Sequence, residues 1–392
     1  MNDIEPLKGL KIADFSQGVA GPYSAMMLAQ AGADVTKVEP LDGDWARTLG
    51  TAYGDYCAHA VTVNLGKKSI SLDLKSPEGL KIAKKIAAEA DVMVESFRPG
   101  IMAKFGLDYK TVSAENKSVI YLSVTGYGQE GPYNDRPVTD GAIQGFSGWM
   151  SMTRDENGTP MKTGMVAIDF MTGIFAYQTI LKALIARGIN GKGGYYDSSL
   201  MQTAAAFQTA KILEHHLEGG QPTVLYVPAG TMKTADGHIG IAVMRERHYA
   251  SLCKVVGRED LIDHEDYNTR EKRVDKEQVL MAMLRAEFLK KSTATWSEEL
   301  NAEGVIHSPI NSYSDYLDNE QAKAVDSYRW IDHEGVGKIP LPRIPGFPAF
   351  ENGDRLAHSP KIGENSGEIL TAMGYSTDEI ASFEATGAVL QK

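Results

Sequence analysis

The first forty residues alternate apolar runs with short polar breaks in a way that predicts a β-α-β unit. Residues 10–15 read as a strand, and Ser16-Gln17-Gly18-Val19-Ala20-Gly21 as a loop. Pro22 suits the first turn of a helix reaching Ala31, and residues 35–39 form the next strand. A strand, turn and helix within this span imply a parallel sheet with a right-handed crossover. Further strands are predicted over 69–74, 91–95 and 118–125. Ser76-Pro77-Glu78 opens a helix to about residue 89, with cap and Pro both in place. This is the pattern of a doubly wound α/β domain, whose ligands bind at the carboxyl ends of the strands.

A helix of small and aliphatic residues is predicted over 171–187, ending at the turn that runs from Gly188 to Gly194. Residues 197–218 read as one long helix rich in Ala and Gln. From Gln221 the texture changes. Thr234-Ala235-Asp236-Gly237 is a tight turn before a strand at 238–243, and helices follow at about 247–256, 276–290 and 295–302. The expected organisation is a large domain over 1–224 and a small α+β domain over 225–325. A segment over 326–392, extended and Pro-rich at 338–350 and helical at 376–386, then returns to the large domain.

Composition narrows the function classes. The 392 residues are 43% apolar and 23% charged, ordinary for a globular chain, and their number suggests two domains. A net charge of −11 argues against general attraction to nucleic acid or anionic membrane, so an anionic ligand needs a local basic cluster. Two distant cysteines, Cys57 and Cys253, have neither disulfide-scaffold nor metal spacing. The first residues carry no basic region and no apolar core, and no uncharged run reaches transmembrane length. A cytoplasmic location is therefore expected.

One carboxylate stands out. Asp169 closes the run Lys162-Thr163-Gly164-Met165-Val166-Ala167-Ile168 just before the apolar helix, where an acid is either an N-cap or a functional group. Glu39 ends a strand where an acid could hold a ribose, but Gly18 and Gly21 do not make the G-x-G-x-x-G triplet of a nicotinamide site. Lys67, Lys68 and Lys75 flank one strand, Arg98 and Lys104 follow another, and Arg136 lies in a polar loop. They are either solvated surface or a site for a nucleotide phosphate. Gly126-Tyr127-Gly128-Gln129-Glu130-Gly131-Pro132-Tyr133 is either a connector or a ligand-binding loop. His215 and His216 are adjacent on a helix and point apart, so they are no metal pair, and no metal site is expected.

Nearly end to end, the chain resembles the family III coenzyme A transferases. The resemblance rests on Leu7-Lys8-Gly9-Leu10-Lys11-Ile12-Ala13-Asp14-Phe15, Ala20-Gly21-Pro22, Ala31-Gly32-Ala33-Asp34-Val35 and Val38-Glu39-Pro40. It continues through Lys68-Ser69-Ile70-Ser71-Leu72-Asp73-Leu74-Lys75, Val94-Glu95-Ser96-Phe97-Arg98-Pro99-Gly100 and the Gly126–Tyr133 loop. Asp169, Thr234-Ala235-Asp236-Gly237 and Gly363-Glu364-Asn365 complete it.

The resemblance implies a Rossmann-type large domain, a smaller α+β domain and two interlocked subunits in a homodimer. It implies that Asp169 is the nucleophile. Coenzyme A moves from an acyl-CoA to a free acid through aspartyl anhydride and aspartyl-CoA thioester intermediates, steps that split one hard exchange into easier ones. Backbone N–H groups would stabilise each oxyanion, and the helix N-terminus would keep Asp169 ionised. CoA is then a substrate rather than a tightly bound cofactor. Its contacts would fall on Val19, Ala20, Leu72, Lys75, Ser96, Phe97, Arg98, Lys104 and Arg136. The chain departs from the pattern at Pro40, where other members carry a basic residue, and at Pro228-Ala229-Gly230, where some carry a Gly-rich flap.

Two other readings stand beside it. The α-methylacyl-CoA racemases share the fold and the aspartate but need a histidine where this chain has Thr139. A CoA-binding protein without chemistry would keep Asp169 only as a cap. Arg245, Arg247 and His248 either begin a solvated helix or hold a second carboxylate of a dicarboxylic substrate.

Overall fold

A computed structural model describes residues 5–155, 157–220 and 224–390. The first four residues and the change of texture at Gln221 lie outside them. By backbone contacts the chain divides into two compact units, Met1–Ala210 with Asp326–Lys392, and Lys211–Val325. The division falls at residue 210 rather than the expected 224. It passes through a helix, Thr209–Leu217, that buries none of its residues and so contributes nothing to a core.

The large unit is built on a seven-stranded sheet. Its strands are β1 (Lys11–Asp14), β2 (Asp34–Glu39), β3 (Lys68–Leu72), β4 (Val92–Glu95), β5 (Ile120–Thr125), β6 (Gly194–Ser199) and the C-terminal β12 (Val389–Leu390). Their order is β12-β3-β2-β1-β4-β5-β6. All pairs are parallel except β12, which runs antiparallel with Val389 opposite Leu72. The order reverses between β1 and β4, which opens a crevice beyond their carboxyl ends.

Both faces of the sheet are covered, and the alternation of side chains divides the core accordingly. Ile12, Val35, Val94 and Leu122 pack with Ala25, Leu28, Ala176 and Ile180 on one side. Ala13, Ile70, Met93 and Tyr121 pack with Ile82, Ala83 and Leu370 on the other. The first side carries two helices, Ala20–Gln30 and the 24-residue Ala167–Asn190, hereafter the long helix. They cross closely because Gly173 has no side chain: a Cβ there would stand 2.9 Å from the Ala20 carbonyl oxygen.

Three expectations need correction. Residues 197–218 are not one helix: Tyr195 to Ser199 belong to β6, and Ser199 caps a new helix, Leu200–Phe207, by accepting from Gln202 N. The aromatic pair and β5 pairing outweigh the helical tendency of the sequence that follows. The long helix continues past Arg187 to Asn190, where Gly191 in the left-handed region (φ 72°) ends it. By length and composition this helix could also cross a membrane, though a third of its apolar stretch is buried in the fold and it carries Asp169 in its first turn. In the tail, Gly337–Pro342 (β11) pairs antiparallel with Tyr328–His333 (β10) rather than crossing the surface unpaired.

The small unit holds a three-stranded antiparallel sheet, β7 (Ala229–Lys233), β8 (His238–Ala242) and β9 (Ile306–Pro309). Its core joins Met232, Ile239 and Ile241 to Leu252, Leu284, Phe288 and Trp296 from its helices.

Candidate active site

The crevice at the switch point is walled by two loops that bind one another. After β1, Gln17 N donates to Ser96 Oγ (2.8 Å), and Ser96 Oγ donates back to the Gln17 carbonyl (3.0 Å) after β4. Gly18 holds a positive φ (84°) and donates its N–H to Asp44 Oδ1 at 2.9 Å. Any side chain there would run into the Trp45 ring.

Beneath these loops lies a group of buried charges, each matched by an opposite one. Lys67 Nζ meets Asp14 Oδ2 at 2.7 Å, Lys37 Nζ meets Asp44 Oδ2 at 2.8 Å, and Arg47 grips Glu39 through two bonds of 2.8 Å. Ser69 Oγ adds a third bond to Glu39. Charges without water require such pairing. Burial, opposed by Asp14, still pushes the Lys67 ammonium down to about 8. Two candidates thereby leave the ligand-binding reading. Glu39 is occupied by Arg47 rather than free for a ribose, and Lys67 is enclosed. Lys68, the next residue and the first of β3, points elsewhere and is paired with Glu368 (3.0 Å).

A cavity of about 570 Å³ opens at the crevice, and Asp169 lines it. Of the residues expected to meet CoA, Val19, Ala20, Ser96, Phe97, Arg98 and Arg136 line the same cavity. Leu72, Lys75 and Lys104 do not: Leu72 is buried in the core beside β12, while Lys75 and Lys104 stand exposed after β3 and β4. The glycine-rich loop after β5 is anchored, not loose, since Gly128 N donates to Thr125 Oγ1 and Gln129 Nε2 to Ser123 Oγ. Its Tyr127 joins the lining.

Asp169 is not the helix cap. Val166 occupies that position without a capping side chain, and Asp169 is the third residue of the helix. The cap comes from elsewhere in the chain: Asp140 Oδ2 accepts from the N–H groups of Ile168 (2.7 Å) and Asp169 (3.0 Å). Gln144 holds the other Asp140 oxygen at 2.5 Å. Asp140 is itself buried, in the helix Asp140–Phe146 whose N-cap is Thr139. The sequence carried only a faint signal for this role, an acid and an amide four residues apart on one helix face.

The electrostatics of Asp169 also differ from expectation. Burial first, and the Asp140 charge second, push its carboxyl up to about 7. Two of the N–H groups of the first turn, expected to hold it ionised, are taken by Asp140 instead. Among the described residues the Asp169 carboxylate has no ion pair and no hydrogen bond, so it faces the cavity as an unpartnered acid. Arg245, Arg247 and His248 belong to the small unit, where Arg247 Nε donates to His248 Nε2 at 3.4 Å.

A switch-point cavity lined by an unpaired acid whose carboxyl is held well above its ordinary range is the signature of an enzyme that acts on a ligand held at strand ends. The chain belongs to CoA-transferase family III, whose pattern it matches over residues 7–366. It is 35% identical to the succinyl-CoA:glutarate CoA-transferase of Homo sapiens, across all of this chain and 91% of that protein. It is 32% identical to the succinate–glutarate CoA-transferase of Agrobacterium fabrum, across 94% and 96%. The crystal structure of a CAIB/BAIF family protein from Brucella suis superposes with a TM-score of 0.84 at 31% identity, covering 94% of this chain and 99% of that one. The protein is an acyl-CoA:carboxylate CoA-transferase.

Proposed function

We propose that Asp169 carries the coenzyme A exchange as a covalent nucleophile. Its ionised carboxylate attacks the donor thioester, forming an acyl–aspartyl anhydride and releasing CoA thiolate. The thiolate attacks the aspartyl carbonyl, giving an aspartyl-CoA thioester and the first free acid. The acceptor carboxylate attacks that thioester, expelling CoA thiolate and forming a second acyl–aspartyl anhydride. The thiolate then attacks its acyl carbonyl, giving the new acyl-CoA and restoring the Asp169 carboxylate. The observation that carries this reading is the unpartnered Asp169 carboxylate at the switch-point cavity. The acids Asp14, Glu39 and Asp44 each have a cation, and Asp140 has the N–H groups it caps; among the described residues Asp169 has neither.

Dicarboxylic acids of four or five carbons are the proposed substrates, on the strength of the two relatives named above. The six cavity-lining residues from Val19 to Arg136 are the proposed contacts of CoA. A homodimer is also proposed, supported by the apolar side chains that the long helix and its successors leave in solvent, among them Ile185, Ile189 and Phe207. Racemisation finds no support at Thr139, whose hydroxyl accepts from Ala142 N as a helix cap. Incubation with succinyl-CoA followed by hydroxylamine tests the reading: a hydroxamate on the peptide bearing Asp169 is expected, and its absence during active exchange refutes it.

A further inference from the structure

The cavity around Asp169 poses an electrostatic difficulty for a dicarboxylic acid. Asp169 and Asp140 already place two acids there, and a second carboxylate on the substrate adds to the repulsion unless a cation receives it. Three cations line the cavity: Arg98, Arg136 and Lys162. Arg136 lies on the Tyr133 ring, 3.5 Å from its centroid, and both arginines stand among the proposed CoA contacts. Lys162 has no such assignment. Among the described residues its ammonium makes no ion pair and no hydrogen bond.

The backbone of Lys162 is nevertheless fixed. On one side Met161 N donates to the Thr153 carbonyl at 2.9 Å. On the other, Thr163 N donates to Gln144 Oε1 at 2.8 Å, and Trp149 Nε1 donates to Thr163 Oγ1 at 3.0 Å. Gln144 is the residue that holds Asp140, and Asp140 holds the N–H groups of Ile168 and Asp169. One hydrogen-bonded chain thus ties the backbone beside Lys162 to the backbone of the reacting acid. A charged side chain on a fixed root at the wall of the reaction cavity, with no partner of its own among the described residues, is suited to read one end of a substrate whose other end reacts.

Resting on the proposed reaction of Asp169 with dicarboxylic acids, we infer that Lys162 is the specificity residue that receives the distal carboxylate of the acyl group. Lys162 sets the preference for diacids over monoacids and takes no part in the covalent steps. The flexible stem of lysine lets one ammonium serve acids of neighbouring chain length.

The test is calorimetric titration of the CoA-saturated protein with glutarate and with pentanoate, which differ only in the distal carboxylate. The wild type is expected to bind glutarate more tightly. In K162A the ratio of the two affinities should fall about ten- to hundredfold, the range of a hydrogen bond to a charged group. K162R should retain most of the preference, and K162E should lower it beyond K162A. A wild type with no preference, a K162A ratio equal to that of the wild type, or an equal loss for both acids would overturn the inference. Failure of the proposed reaction reads differently: affinities would follow Lys162 as described while no acyl group ever reached Asp169.

Discussion

Two groups of buried charge lie at the carboxyl ends of the same sheet, and they are built on opposite principles. Under β1, β2 and β3, three cations face three carboxylates, each pair within 2.8 Å. Between the helices Asp140–Phe146 and Ala167–Asn190, two acids lie side by side and, among the described residues, neither is ion-paired. The first arrangement neutralises what it buries, and its product is a loop held in place: Lys37 Nζ bonds the Ser16 carbonyl, and Asp44 bonds Gly18 N. The second leaves charge uncompensated, which costs stability and persists where chemistry needs it. Burial alone does not separate a structural acid from a reactive one; the partner does.

The comparison breaks most completely at Asp169. Asp169→Asn keeps the shape and should lower exchange by about 10⁴-fold or more, read as steady-state turnover. It should also raise stability in neutral buffer. A carboxyl lifted to about 7 from an ordinary value of about 4 binds its proton more tightly when folded. The stability this contributes is present below about pH 4 and lost as pH rises through 7. Denaturant unfolding of wild type should show that decline, and D169N should flatten it.

Removing one member of a matched pair should act on stability instead. Lys67→Met strands Asp14 without its cation and should cost about 3–5 kcal/mol in urea unfolding. Smaller still is the effect of Asp140→Asn, which removes the second cause of the Asp169 shift while one oxygen can still cap the helix. The rise of exchange with pH, centred near 7 in wild type, should move to lower pH; a profile unmoved or moved upward would show that Asp140 does not act on Asp169 by charge. The least effect belongs to Lys68→Ala. Its pairs with Glu368 and Asp34 are partly exposed, and the loss should be within about 1 kcal/mol. Adjacent lysines would then differ several-fold because only one is enclosed.

The sequence disclosed the strands of the parallel sheet through to β5, because buried parallel strands are apolar runs closed by turn residues. It pointed to Asp169 for the same local reason, an acid ending such a run. What it concealed depends on distant partners. Glu39 and Lys67 read as ligand-binding groups until Arg47 and Asp14 are seen against them. β6 was hidden because Asp197-Ser198-Ser199 is a poor strand on propensity and is held by its pairing with β5. Asp140 caps a helix that begins 27 residues later, and the only local trace of it is the amide of Gln144 four residues on.

Oxygen isotopes follow the central claim directly, since the carboxyl oxygens of Asp169 must pass into the acids it exchanges. Protein turned over with succinyl-CoA and ¹⁸O-labelled glutarate, then digested and weighed peptide by peptide, is expected to carry ¹⁸O in the Asp169 side chain and nowhere else. Sustained exchange with an unlabelled Asp169 would contradict the account.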